Sequence, residues 1–100
     1  MIIIRNTIML TDEQENDLEY LKDVAMRKKF YAEFVVNLYN DTFKCNIFAC
    51  ARYIRGESDD KLKKAFDLML DLAMQGIESQ EYLGRDFIKS LIKFYELRES

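Results

Sequence analysis

The chain contains no histidine, no proline and no tryptophan, only two cysteines and only three glycines. Histidine is the usual general base, proton shuttle and transition-metal ligand. Its absence rules out Ser-His and Cys-His nucleophile pairs, His-containing zinc sites and the Glu-x-x-His di-iron site. Neither a P-loop nor a GxGxxG stretch is present. The expectation is a protein that is not an enzyme and that needs no cofactor and no metal. Without proline, and with glycine sparse, little interrupts a helix.

Long apolar runs are missing as well. Met1 to Leu10 is apolar but too short and too interrupted for a secretion signal or a membrane span. Cys45 and Cys50 do not have CxxC spacing, so they read as buried thiols in a reducing compartment. A cytoplasmic protein with no membrane association is expected. Asn40-Asp41-Thr42 matches a glycosylation sequon, which carries no weight without a secretion signal.

What is present describes one folded domain, residues 1–100. The chain is 49% hydrophobic and 33% charged, a globular balance rather than a disordered one. With 15 basic and 18 acidic residues the net charge is −3, too even to imply a nucleic-acid partner.

Residues 1–10 are rich in β-branched side chains and read as an extended arm or strand. Ile4, Asn6, Ile8 and Leu10 would lie on one face, with Arg5, Thr7 and Met9 on the other. Thr11 and Gln14 form a capping-box pattern, and Asp12, Glu13 and Glu15 favour the positive end of a helix dipole. Leu18, Leu21, Ala25, Ala32, Val35 and Tyr39 then continue in three- and four-residue steps, Lys28 being the polar exception. One helix of about 25–30 residues satisfies propensity over 11–40, and a helix pair broken near Lys28 is the competing reading.

Residues 42–55 predict a helix after Asn40-Asp41-Thr42, with Gly56 as its stop. Phe43, Ile47, Cys50, Ala51 and Ile54 mark a buried face. Cys45, Phe48, Ala49 and Tyr53 make it apolar nearly all round, so it reads as the central helix. Residues 58–75 form a strongly amphipathic pattern through Leu62, Ala65, Phe66, Met69, Leu70 and Ala73. Gly76 and Ile77 then suit a Schellman cap. A last helix over 79–98 carries Phe87, Ile88, Leu91, Ile92, Tyr95 and Leu97, weakened near its start by Gly84. The expected fold is all-α, a small bundle of about four helices with a long first helix.

Six tyrosines and seven phenylalanines are a large aromatic supply for this length. A long first helix would outrun its neighbours and leave an apolar seam needing a partner. Tyr20, Arg27, Lys28, Phe30, Tyr31, Tyr39 and Tyr53 are the expected protein-interface residues, since tyrosine and arginine make typical anchors. The expected function is a non-catalytic, protein-binding regulator or inhibitor acting sterically through a helical face, as a monomer or a homodimer. The content of Ile, Lys, Asn, Phe, Tyr, Asp and Glu suits an AT-rich source such as a phage or other mobile element.

The surface charges offer fewer specific signals. The acidic run from Asp12 to Asp23 lacks a glycine-bearing calcium loop and reads as a solvated face. Arg85, Lys89 and Lys93 recur every four residues on one ridge, and Asp60–Lys64, Lys63–Asp67 and Glu81–Arg85 are candidate helix pairs.

The first 43 residues supply a second reading. Arg5, Thr7 and Met9 form a potential strand face. Leu10, Leu18 and Leu21 are core positions after an acidic helix start, and Ala32-Glu33-Phe34-Val35 would open a second helix. This pattern resembles a ribbon-helix-helix DNA-binding module. The resemblance implies a dimer whose paired strands enter the major groove. Arg5 and Thr7 would read base edges, and Arg27, Lys28 and Lys29 would hold phosphates. The chain departs from that family at polar Asn6, in lacking a glycine between Met26 and Phe30, and in its acidic first helix.

Overall fold

The computed structural model describes residues 2–4 and 8–99, with side chains from Met9 onward. Strand β1 (Ile2–Ile4) pairs antiparallel with β2 (Ile8–Leu10). The expected extended arm or strand thus contains two short antiparallel strands, and Ile2 lies opposite Leu10. Period-two alternation holds at its end, with Leu10 buried and Met9 exposed. Arg5, Asn6 and Thr7 lie outside the described residues.

Helix α1 (Asp12–Arg27) starts as its sequence predicts. The Gln14 amide donates to Thr11 Oγ1 at 3.1 Å, and the Thr11 amide donates to Gln14 Oε1 at 2.9 Å. The helix stops at Lys28, whose φ of −128° and ψ of 112° are extended. Helix α2 (Lys29–Asn37) restarts at once. The 11–40 segment is thus the helix pair, not one continuous helix. Local sequence offers no breaker, and a tertiary bond fills the gap. Tyr95 Oη donates to the carbonyl of Ala25 at 3.0 Å, occupying an acceptor in the last turn of α1.

The centre of the molecule is α2. Tyr31, Ala32, Phe34, Val35 and Val36 are all buried, and the helix packs against α1 and two later helices. Its polar residues, Lys29, Glu33 and Asn37, fall four apart on one stripe, and none of them is buried. Phe34 stacks on Phe66 with centroids 4.7 Å apart.

An irregular segment follows, held by the Asn37 side-chain amide donating to the Phe43 carbonyl at 2.7 Å. Helix α3 (Ile47–Glu57) begins five residues later than the sequence predicts. Asn46 is its cap, Oδ1 accepting from the Ala49 amide at 3.0 Å. Gly56 does not stop it, and the left-handed residue is Ser58 at φ 51°. Only Cys50 and Ile54 of α3 are buried, so the expectation that this helix is central is overturned. Its outer ridge carries Arg52 and Arg55, which no apolar interior would accept.

Helix α4 (Asp60–Met74) is capped by Asp59 and packs along α1. Its end is the expected Schellman arrangement, with Gly76 at φ 79° and buried Ile77 donating to the Leu72 carbonyl at 2.9 Å. The 79–98 segment is two helices, α5 (Gln80–Leu83) and α6 (Arg85–Tyr95), divided at Gly84 with φ 93°. Helix α6 completes the packing around α2. Buried Ser79 ties α5 to α2, its Oγ donating to the Val35 carbonyl at 2.7 Å. The result is an all-α bundle with six helices among the described residues and a short N-terminal hairpin. None of these helices is long and apolar enough to cross a membrane.

Candidate functional site

The aromatic residues expected at an interface separate into structural ones and bystanders. Tyr31 is 0% exposed and its hydroxyl donates to the Cys50 carbonyl at 3.0 Å. It is a core residue joining α2 to α3, and burial pushes its phenol well above the ordinary tyrosine value. Phe30 and Tyr53 are half-buried against it, with centroids 5.2 to 5.9 Å apart in the three pairings. Tyr20 spans α1 to α4, its hydroxyl donating to Asp59 Oδ2 at 2.5 Å. That bond raises the Tyr20 phenol and lowers the Asp59 carboxyl. Tyr39 is half-buried against the core. These five therefore do not form one surface, because the bend at Lys28 turns α2 inward and consumes the apolar seam.

The basic residues fare similarly. Arg27 is ion-paired with Asp23 at 3.0 Å, and Lys28 lies over the Tyr53 ring at 5.5 Å. Lys29 is exposed. Of the strand face that would enter a DNA groove, only Met9 lies among the described residues, and its strand β2 pairs with β1 of the same chain, whereas a ribbon-helix-helix module pairs one strand from each protomer. Of the candidate helix pairs, Lys63–Asp67 forms at 2.9 Å, while Lys64 crosses to Glu13 at 3.4 Å. Glu81 accepts from the Glu78 amide at 2.8 Å.

A different surface is left open, on the outer ridge of α3. Phe48, Ala51, Arg52 and Arg55 stand at i, i+3, i+4 and i+7, a single stripe on a helix. All four are exposed, Phe48 by 66%, and neighbouring Ile47 is exposed too. The Arg52 guanidinium lies over the Phe48 ring at 5.2 Å. Beside the ridge runs a groove of about 290 Å³ between α3 and α4, lined by Ala51, Ile54, Arg55, Lys63, Phe66 and Asp67. Lys63 and Asp67 hold each other at its rim.

Sequence reasoning misses this ridge because a helix apolar all round reads as an interior one. The available signal is Arg52 and Arg55, three residues apart and both one helical step from Phe48 or Ala51. Charges on one stripe of an otherwise apolar helix mark the side facing water.

Among the described residues no group of three or more His, Cys, Asp or Glu side chains is placed to hold a metal ion. Cys50 is buried and donates to the Phe30 carbonyl at 3.4 Å, and burial pushes its thiol up to about 12. Cys45 is half-buried and also raised by burial. A thiol held protonated is a poor nucleophile. A cleft of about 320 Å³ among Asp12, Glu15, Glu19 and Tyr82 is acidic, which suits neither phosphate nor oxyanion chemistry. No protein-family model, curated protein or solved structure matches the chain.

Proposed function

We propose that this protein is a non-catalytic binding module that acts sterically, laying the outer ridge of α3 against a surface of another protein. The observation that carries the reading is the exposed stripe of Phe48, Ala51, Arg52 and Arg55 beside an open apolar groove. Phenylalanine and arginine are both enriched at protein interfaces, and arginine is among the residues that dominate binding energy there. An exposed phenylalanine on a helix that already has a buried face contributes nothing evident to the fold. A regulator or inhibitor of this kind, carried by a phage or other mobile element, fits a composition rich in Ile, Lys, Asn, Phe, Tyr, Asp and Glu, and its two cysteines without CxxC spacing fit work in the cytoplasm.

A photo-crosslinking residue placed at position 48, compared with one at exposed Lys89 on α6, tests this reading in cells of the source. A defined adduct from position 48 and none from position 89 is expected. Adducts only from position 89, or none from either, would remove the α3 ridge as the working surface. A duplex-DNA titration at low salt addresses the ribbon-helix-helix alternative, and no binding is the expected result.

A further inference from the structure

We propose that the α3 ridge takes an acidic, amphipathic helical segment of a partner protein, one apolar side chain of which enters the groove between α3 and α4. This rests on the reading of α3 as the docking face and specifies what docks there. The ridge has the i, i+3, i+4, i+7 spacing by which one helix meets another. Its apolar part is Phe48 and Ala51, continued into the groove by Ile54 and Phe66. Its charged part is Arg52 and Arg55. Among the described residues neither guanidinium has a carboxylate partner, and Arg52 rests on the Phe48 ring. Exposed Lys44 adds a further positive charge near the start of the helix. The one acid at the groove, Asp67, is already matched by Lys63 at 2.9 Å. The face is therefore apolar and cationic with its charge unanswered, and the complementary surface is apolar and anionic.

A second copy of this chain is the poorer occupant for two reasons. Acids on α1 that might answer the arginines are already spent within the molecule. Glu13 is bound to Lys64, Glu19 to Lys22 and Asp23 to Arg27, at 3.0 to 3.4 Å. A contact from α3 of one copy to α1 of the next would also be heterologous, and such contacts run on as open chains unless their rotation closes a ring. Self-pairing of α3 about a two-fold axis at the centre of the ridge would instead set Arg52 against its own copy.

The test uses the intact protein and a designed helical peptide of about four turns, with leucine along one face flanked by glutamate. A twin peptide carries lysine at every glutamate position. Amide chemical shifts report where each binds. The acidic peptide should shift resonances across residues 47–55 and at Phe66, and should bind at least about tenfold more tightly than its lysine twin at low salt. In the double variant Arg52→Glu, Arg55→Glu the preference should invert, and recovery of binding by the lysine twin shows that the variant is folded. Equal binding of both peptides to the native protein, lost in Phe48→Ala, would overturn the acidic partner while leaving α3 as a docking face. Acidic-peptide binding that persists in the double variant would overturn it as well. No shifts in α3 with either peptide, together with a dimer in sedimentation that Phe48→Ala dissociates, would assign the face to a second copy and remove both readings.

Discussion

At the scale of single residues, the bond from Tyr20 to Asp59 shows a polar pair acting as a tertiary fastener. Asp59 has two tasks, since Oδ1 also accepts from the Leu62 amide at 3.0 Å and caps α4. The two are separable by substitution. Asp59→Asn keeps a good cap residue but weakens the bond from Tyr20, and Tyr20→Phe removes only the hydroxyl. Each should cost about 1 kcal/mol in denaturant unfolding, and the double variant should cost less than the sum, because both remove the same bond. Full additivity would show that the pair does not interact in solution. By contrast, Phe48→Ala should leave stability within about 0.5 kcal/mol of the native protein, as exposed positions do. Its effect is expected on binding alone.

Individual elements end where capping geometry ends them, and glycine position is an unreliable guide to this. Gly56 lies inside α3, and a Cβ added there would meet nothing within 4 Å, while the left-handed position is held by Ser58. Gly56→Ala and Ser58→Gly should therefore each stabilise, by about 0.5–1 kcal/mol, the first through helix propensity and the second by relieving a non-glycine residue at positive φ. Gly84→Ala should do the reverse, costing about 1 kcal/mol or more. Its φ is 93°, and the open space around it does not remove that strain. Thermal melts of the three variants check the signs. The junction of α1 and α2 follows another rule, because it depends on a distant hydroxyl. Tyr95→Phe should cost about 1 kcal/mol and raise hydrogen exchange around residues 25–30 before that of α4.

Across the whole molecule, stability should have a particular dependence on pH. No side chain has an ordinary pKa between about 5 and 8, because there is no histidine. The melting temperature is thus expected to be nearly flat over that interval. Burial raises the Cys50 thiol and the Tyr31 and Tyr82 phenols, and the bond to Asp59 raises Tyr20. Groups raised in the folded state keep their protons while the unfolded chain loses them. The stability they contribute is complete below the unfolded values, about 8.5 for the thiol and about 10 for the phenols, and declines as pH climbs past them. Asp59 acts in the opposite direction. Its lowered carboxyl contributes above the unfolded value of about 3.9, and this is lost as pH falls through the folded one. Unfolding measured from about pH 3 to about pH 11 should show a plateau with both shoulders, and the alkaline shoulder should be the steeper. A melting temperature that rises above about pH 9 would contradict these assignments.

What the chain determines by itself is local. The Thr11–Gln14 capping box, the Asp59 cap, the Gly76–Ile77 Schellman turn and the amphipathic face of α4 follow from side chains and amides within a few residues of one another. Helix content follows from the lack of proline and the scarcity of glycine. Tertiary structure decided the rest. The bend at Lys28 has no local breaker. It turns Tyr31 and Phe34 of α2 into the core, and the Tyr95 hydroxyl occupies the Ala25 carbonyl beside it. Once α2 occupies the centre, α3 is displaced to the surface, and its second apolar stripe faces outward with Arg52 and Arg55. Hydrophobic periodicity reports that a face is apolar. Only the packing of the whole chain decides which apolar face is buried and which is left for a partner.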